Sequence, residues 1–247
     1  MNRSKKTSRR KVKRNLLTPK INRLVTKHKQ AIYQYVEERA RETAKEIGSL
    51  INKAKIDEGG IIFVQGPIYS GKTLVGCFLN RYVNKTRRFI RGQPRANRPD
   101  TPEGKFDSQS GLKCSAVSFS TIQEMEKLFD KNDVILVDNV MFIAYELQSF
   151  FLKELTDFVE RGGWFVGMGY QYSSQNTEFM LCTLLRQRAT RIFNLTSTCQ
   201  KCGRRGAIYN QRLVRGKPSL ASDPELMAPS GDVVYESRCK DCEVVFH

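Results

Sequence analysis

The chain has 247 residues, 40% of them hydrophobic, which is enough for one sizeable core and a small appendage. No apolar run approaches the ~20 residues of a membrane span, and the N-terminus lacks the apolar stretch of a secretory signal. Composition therefore excludes a membrane-spanning protein and predicts a soluble, cytoplasmic one.

The formal net charge is +17, and residues 1–30 hold 12 of the 42 Lys and Arg and no acid. Residues 1–28 carry Lys5-Lys6, Arg9-Arg10-Lys11 and Lys13-Arg14 with Ser and Thr between them. Such a segment cannot bury a core, so it reads as a basic disordered tail. It could be a solvated end, a contact for nucleic acid or a protein assembly, or a targeting signal, in which case the address is nuclear or organellar. Residues 29–58 read as a helical extension, because Ala31, Tyr35, Ala40, Ala44, Ile47, Leu50 and Ile51 recur at helical spacing. The helix is expected to pack on the domain that follows or on a partner subunit.

Gly60 to Gln65 is a short apolar run that reads as a buried strand, and Thr73 to Val83 reads as a helix. Between them stands Gly66-Pro67-Ile68-Tyr69-Ser70-Gly71-Lys72-Thr73, which fits the phosphate-loop pattern G-x-x-x-x-G-K-[ST] at every fixed position. Loop and helix-start N–H groups form an anion site. In it Lys72 reaches the β- and γ-phosphates and the Thr73 hydroxyl ligates Mg²⁺, so the cofactor expected is ATP with Mg²⁺.

The polar segment 84–112 is rich in Pro and Gly and reads as a long loop. Ser115 to Phe119 reads as a strand, and Thr121 as the cap of a helix over 122–130 with Glu124 at the capping-box position. Val134 to Val137 is a second buried strand, and Asp138 after it is a Walker B candidate for Mg²⁺. Residues 145–161 place Leu147, Phe150, Phe151, Leu155 and Phe158 on one helical side, and Trp164 to Met168 is a further strand. The alternation predicts an α/β fold, a parallel sheet flanked by helices over 59–197.

Residues 198–247 form a separate zinc-binding unit. Cys199-Gln200-Lys201-Cys202 and Cys239-Lys240-Asp241-Cys242 supply four thiolates for a closed, structural Zn²⁺ site, with Gly203 in the turn behind the first pair. Cys77, Cys114 and Cys182 read as small core residues, and the odd count of seven argues for a reducing compartment over a disulfide scaffold.

Over roughly 60–247 these residues resemble the thymidine kinase family of the zinc-containing, P-loop type. The phosphate loop looks like its G-P-M-F-S-G-K-T, and Val137-Asp138-Asn139-Val140-Met141-Phe142 lies where the family has I-D-E-x-Q-F. Phe179 through Cys199 keeps the family's register from a P-F phenylalanine to the first zinc cysteine, and Val234 to Cys239 looks like the K-Y-x-x-x-C that ends its substrate lasso. Pro94 to Arg98 resembles a shortened P-x-x-D-x-R segment, and Ser108 to Gly111 the following S-x-x-G. The resemblance implies ATP and Mg²⁺ use, a deoxynucleoside held by a zinc-anchored lasso, and a homo-oligomer, commonly a tetramer. It further implies nucleoside contacts at Met141, Phe142, Phe179 and Tyr235, and charge neutralisation by Arg98.

The departures fall on the nucleoside half. Asn139 stands where the family has its Glu base, Met141 replaces a Gln, Asn97 replaces the Asp before Arg98, and Gly167-Met168-Gly169 replaces G-L-D. The lasso also carries about two extra residues before Phe179. An amide cannot take the proton of a 5′-hydroxyl, and losing a positioned base costs about 10²–10⁴ in rate. Asp107 and Glu146 are the substitutes the sequence offers. The leading expectation is a slow thymidine-kinase-like phosphotransferase whose turnover rises in Asn139→Glu. The alternatives are a catalytically impaired nucleotide-binding protein acting in an assembly and, more weakly, a nucleic-acid-dependent ATPase with a zinc ribbon.

Overall fold

The computed structural model describes residues 19–95, 104–108, 110–220, 222–224 and 229–244, with side chains in the first helix described from Ile32 onward. The elements run α1 (Pro19–Lys53), β1 (Gly60–Gln65), α2 (Lys72–Leu79), β2 (Phe89–Pro94), β3 (Lys105–Asp107), β4 (Lys113–Ser115), β5 (Val117–Phe119), α3 (Ile122–Phe129) and β6 (Val134–Val137). After a 3₁₀ turn at Val140–Phe142 come α4 (Tyr145–Glu160), β7 (Trp164–Gly169), α5 (Met180–Arg188) and β8 (Arg191–Asn194). The C-terminal part holds β9 (Ser197–Thr198), β10 (Arg205–Ala207), β11 (Tyr209–Val214), β12 (Lys217–Pro218) and β13 (Val233–Arg238).

Among the described residues the main sheet has six strands in the order β5-β2-β6-β7-β1-β8, every neighbouring pair parallel. Alternation along its central strands divides the core in two. Ile62, Val64, Leu136, Val166 and Met168 face one side and pack with α1 and α2. Ile61, Phe63, Ile135, Val137 and Phe165 face the other and pack with α3, α4 and α5. The expected α/β sheet flanked by helices is thus present. No described helix is long and apolar enough to cross a membrane.

Helix α1 packs on its own domain. Val36, Ala40, Ala44, Ile47 and Ile51 are buried with α2. The Arg41 guanidinium lies 4.2 Å from the centre of the Phe78 ring, and Glu46 pairs with Arg191 of β8 at 3.6 Å. The helix begins at Pro19, so the reading of 1–28 as a disordered tail is corrected from that residue on. The sequence explains why: proline suits a helix's first turn, and Ile21, Leu24 and Val25 extend the helical spacing of the apolar residues. Residues 1–18 lie outside the described residues.

The segment 84–112 is not one loop. It contains β2, an inner strand of the main sheet between β5 and β6, and β3, which pairs with β4 in a hairpin. Polar residues mask β2. Arg91 donates from Nε to the Gly76 carbonyl near the end of α2 at 2.8 Å, and burial pulls its pKa down. The buried Gln93 donates to the Lys105 carbonyl at 3.1 Å. Pro94 takes the last strand position, where a missing N–H costs little. The single strand expected over 115–119 divides into β4 and β5, and the expected helix cap at Thr121 accepts from Glu124 N at 3.3 Å.

Cys77 and Cys114 lie with the core as read, Cys77 buried and Cys114 packed against it, and a disulfide joins them with Cα atoms 5.7 Å apart. They lie 37 residues apart, and the packing of the β3–β4 hairpin on α2 brings them together. Cys182 is a buried free thiol as expected, and burial pushes its pKa up to about 12.

Candidate functional site

A cleft of about 510 Å³ opens at the carboxyl ends of the strands. Phosphate-loop residues from Ile68 to Thr73, Asp138, Asn139, Tyr170, the hairpin residues Phe106 to Ser108, and Val233 to Tyr235 of β13 line it. Tyr33 and Val36 of α1 also reach its wall. Crevices at strand carboxyl ends are where open α/β sheets bind ligands.

The loop leaves β1 and enters α2 through Gly71, whose φ of +92° is in the left-handed region that side chains avoid. Lys72 is buried at 7% exposure, and its Nζ donates to the carbonyls of Gly66 at 2.8 Å and Pro67 at 2.7 Å. The same ammonium sits 4.7 Å from the centre of the Tyr170 ring. A cation is therefore held inside the loop by backbone carbonyls. Ile68 N does not join that cradle, because it donates to Asn210 Oδ1 at 2.7 Å. The Asn210 amide in turn donates to the Tyr172 carbonyl at 2.8 Å. Asn210 thus latches β11 onto the phosphate loop, a role that a lone Asn 142 residues away gives no sequence signal for.

Strand β6 delivers Asp138 to the loop across the intervening β7. Thr73 Oγ1 donates to Asp138 Oδ2 at 2.7 Å, and Asn139 N to Asp138 Oδ1 at 2.9 Å. Neighbouring oxygens in an octahedral Mg²⁺ shell lie about 2.9 Å apart, given bonds of 2.0–2.1 Å. The two hard oxygen donors fit such an ion. Asn139 has φ 55° and ψ 45°, a left-handed conformation that Asn tolerates better than most residues, and it turns the chain sharply into the 3₁₀ segment.

The nucleoside candidates separate. Tyr235 lines the cleft. Met141 and Phe179 are buried in the core beside α4 and α5, with Phe142 packed against it, and none of the three lines the cleft. Arg98 lies outside the described residues.

Cys199, Cys202, Cys239 and Cys242 come together with all four sulfurs within 4.8 Å of one another. Cys202 and Cys239 Sγ are 3.7 Å apart. Four Zn–S bonds of 2.3 Å in a tetrahedron separate sulfurs by about 3.8 Å, so the cluster fits Zn²⁺. Gly203, at φ +76°, makes the expected tight turn. Arg204 donates to Cys202 Sγ at 3.5 Å and pairs with Asp241 at 2.5 Å. Its side-chain bond pulls the Cys202 thiol down to about 6. Arg205 of β10 stacks over Tyr35 of α1 at 4.2 Å, so the N-terminal helix touches the cysteine unit as well as the phosphate loop.

The thymidine kinase family model matches residues 59–243. A thymidine kinase of Chloroflexus aurantiacus is 28% identical over 189 residues, which span 75% of this chain and 95% of that protein. Among solved structures, domain III of the Thermotoga maritima replication initiation protein DnaA aligns with a TM-score of 0.41 and 16% identity, over 64% of this chain and 61% of that one. A DNA polymerase III gamma subunit-related protein from the same organism gives 0.39 and 15%, over 61% and 45%. At these scores the structural likenesses carry no weight for the site.

Proposed function

The chain belongs to the thymidine kinase family, and from that premise we propose that it moves the γ-phosphate of ATP to the 5′-hydroxyl of thymidine or a related deoxynucleoside. The observation that carries the reading is the Thr73–Asp138 hydrogen bond of 2.7 Å beside Lys72, in a cleft that also holds Tyr235. Phosphate chemistry and a lasso aromatic therefore share one space.

Lys72 and the later N–H groups of the loop bind and orient the β- and γ-phosphates. Thr73 and Asp138 would hold Mg²⁺, which neutralises charge building on the phosphate oxygens. Tyr235 presents its ring to the nucleoside, and Arg98 adds a positive charge. The four cysteines hold a structural Zn²⁺ that fixes the base of the lasso. Phosphoryl transfer depends mainly on positioning and charge neutralisation, so it tolerates an altered base better than most proton-coupled reactions.

A second reading, a nucleotide-binding member without transfer that acts in an assembly through its basic end, is favoured by Asn139 alone. Incubating the protein with labelled ATP·Mg²⁺ and each deoxynucleoside separates the two. Label in a nucleoside monophosphate supports the kinase. Bound ATP with no transfer to any nucleoside supports the binding protein.

A further inference from the structure

Asn139 cannot accept a proton, so the transfer proposed above lacks its expected base. Among the described residues that line the cleft, the carboxylates are Asp107 and Asp138. Asp138 accepts from Thr73 Oγ1 and Asn139 N and belongs with Thr73 to the oxygen pair proposed for Mg²⁺, which leaves Asp107. Glu146 lies exposed in the first turn of α4 and does not line the cleft.

Asp107 ends β3, whose residues alternate exposed, buried, exposed. That alternation drives Phe106 into the core and leaves Asp107 on the open side. Phe106 is only 1% exposed and packs against Gly76 of α2, where an added Cβ would come within 2.9 Å of its ring. The turn beyond Asp107 is closed by Ser108 N to the Leu112 carbonyl at 3.0 Å and Gly111 N to the Ser108 carbonyl at 2.8 Å. Lys113, opposite Asp107 in the hairpin register, places Nζ 3.1 Å from the carboxylate. The Cys77–Cys114 link anchors the same hairpin to α2, the helix that begins with Lys72 and Thr73. A carboxylate is thus fixed on a supported hairpin in the cleft that holds the phosphate loop.

We propose that Asp107 is the catalytic base that replaces the missing glutamate, an inference that rests on the kinase reading. As the 5′-oxygen bonds to the γ-phosphorus, the bond from that phosphorus to the bridging oxygen breaks and its electron pair leaves with ADP. The hydroxyl O–H bond breaks in the same process, its electrons staying on the 5′-oxygen and its proton passing to the Asp107 carboxylate. Water takes that proton after the products leave. A base on the hairpin makes a carboxylate at 139 unnecessary, which replaces the expectation of a large gain from Asn139→Glu.

The test uses the full chain with thymidine and ATP·Mg²⁺. Asp107→Asn should lower kcat about 10²–10⁴-fold, with ATP affinity and melting temperature near wild type. Asp107→Ala should lose as much and recover in part with added formate, a response that a packing role would not give. Glu146→Gln should turn over like wild type. Unchanged kcat in Asp107→Asn, or a loss in Asp107→Ala that formate does not restore, overturns the inference while the kinase reading stands. A wild-type chain that transfers no phosphate overturns both.

Discussion

Gly71→Ala places a methyl group between the phosphate loop and α1, a helix that precedes the family-matched region. Gly71 has φ +92° and ψ +11°, where a side chain costs about 1–2 kcal/mol. The new Cβ would lie 2.9 Å from Val36 Cγ1 and 3.5 Å from Ala40 Cβ. Forcing one methyl group into such packing costs about 1–3 kcal/mol more. The expected loss is therefore about 2–5 kcal/mol. Val36→Ala removes the obstructing methyl, so in the double variant the packing share returns while the backbone share remains. The predicted coupling is about 1–3 kcal/mol. Urea unfolding followed through the single tryptophan, Trp164, which is buried in β7, measures all four chains. Costs that add within about 0.5 kcal/mol would refute the contact between α1 and the loop.

Metal analysis should find about one zinc per chain, lost in Cys199→Ser together with protease resistance over the lasso; full zinc in that variant would show the ligand set to be wrong. Removing residues 1–18 leaves α1 whole and should not change melting temperature or ATP binding. If those residues contact nucleic acid, only the full chain should show strongly salt-dependent binding. Asp133, held below the usual carboxylate range by the Arg88 side-chain bond, stabilises the fold at neutral pH and loses that contribution as pH falls through its lowered folded-state pKa. Asp133→Asn should flatten that acid limb of stability against pH, and an unchanged limb would assign it to other groups.

The parts of the site that could be read from the sequence are those whose chemistry is local. The phosphate loop, the strand ending at Asp138 and the two cysteine pairs each fit within a few residues, and the structure brings Thr73 to Asp138 and the four sulfurs together. Strand β2 was hidden because its polar residues find partners only in the folded chain, Arg91 at the end of α2 and Gln93 at β3. The Cys77–Cys114 link and the Asn210 latch join positions far apart in the chain, with no spacing that announces them. Met141, Phe142 and Phe179, which family register points to as nucleoside contacts, lie with the core beside α4 and α5 and do not line the cleft.

Phosphorus NMR of the full chain with ATP·Mg²⁺ and thymidine, run beside Lys72→Ala, tests the proposed phosphoryl transfer most directly. ADP and thymidine 5′-monophosphate should appear in equal amounts with the wild type and neither with the variant. ATP that remains intact beside thymidine, or thymidine monophosphate formed equally well by Lys72→Ala, would contradict it.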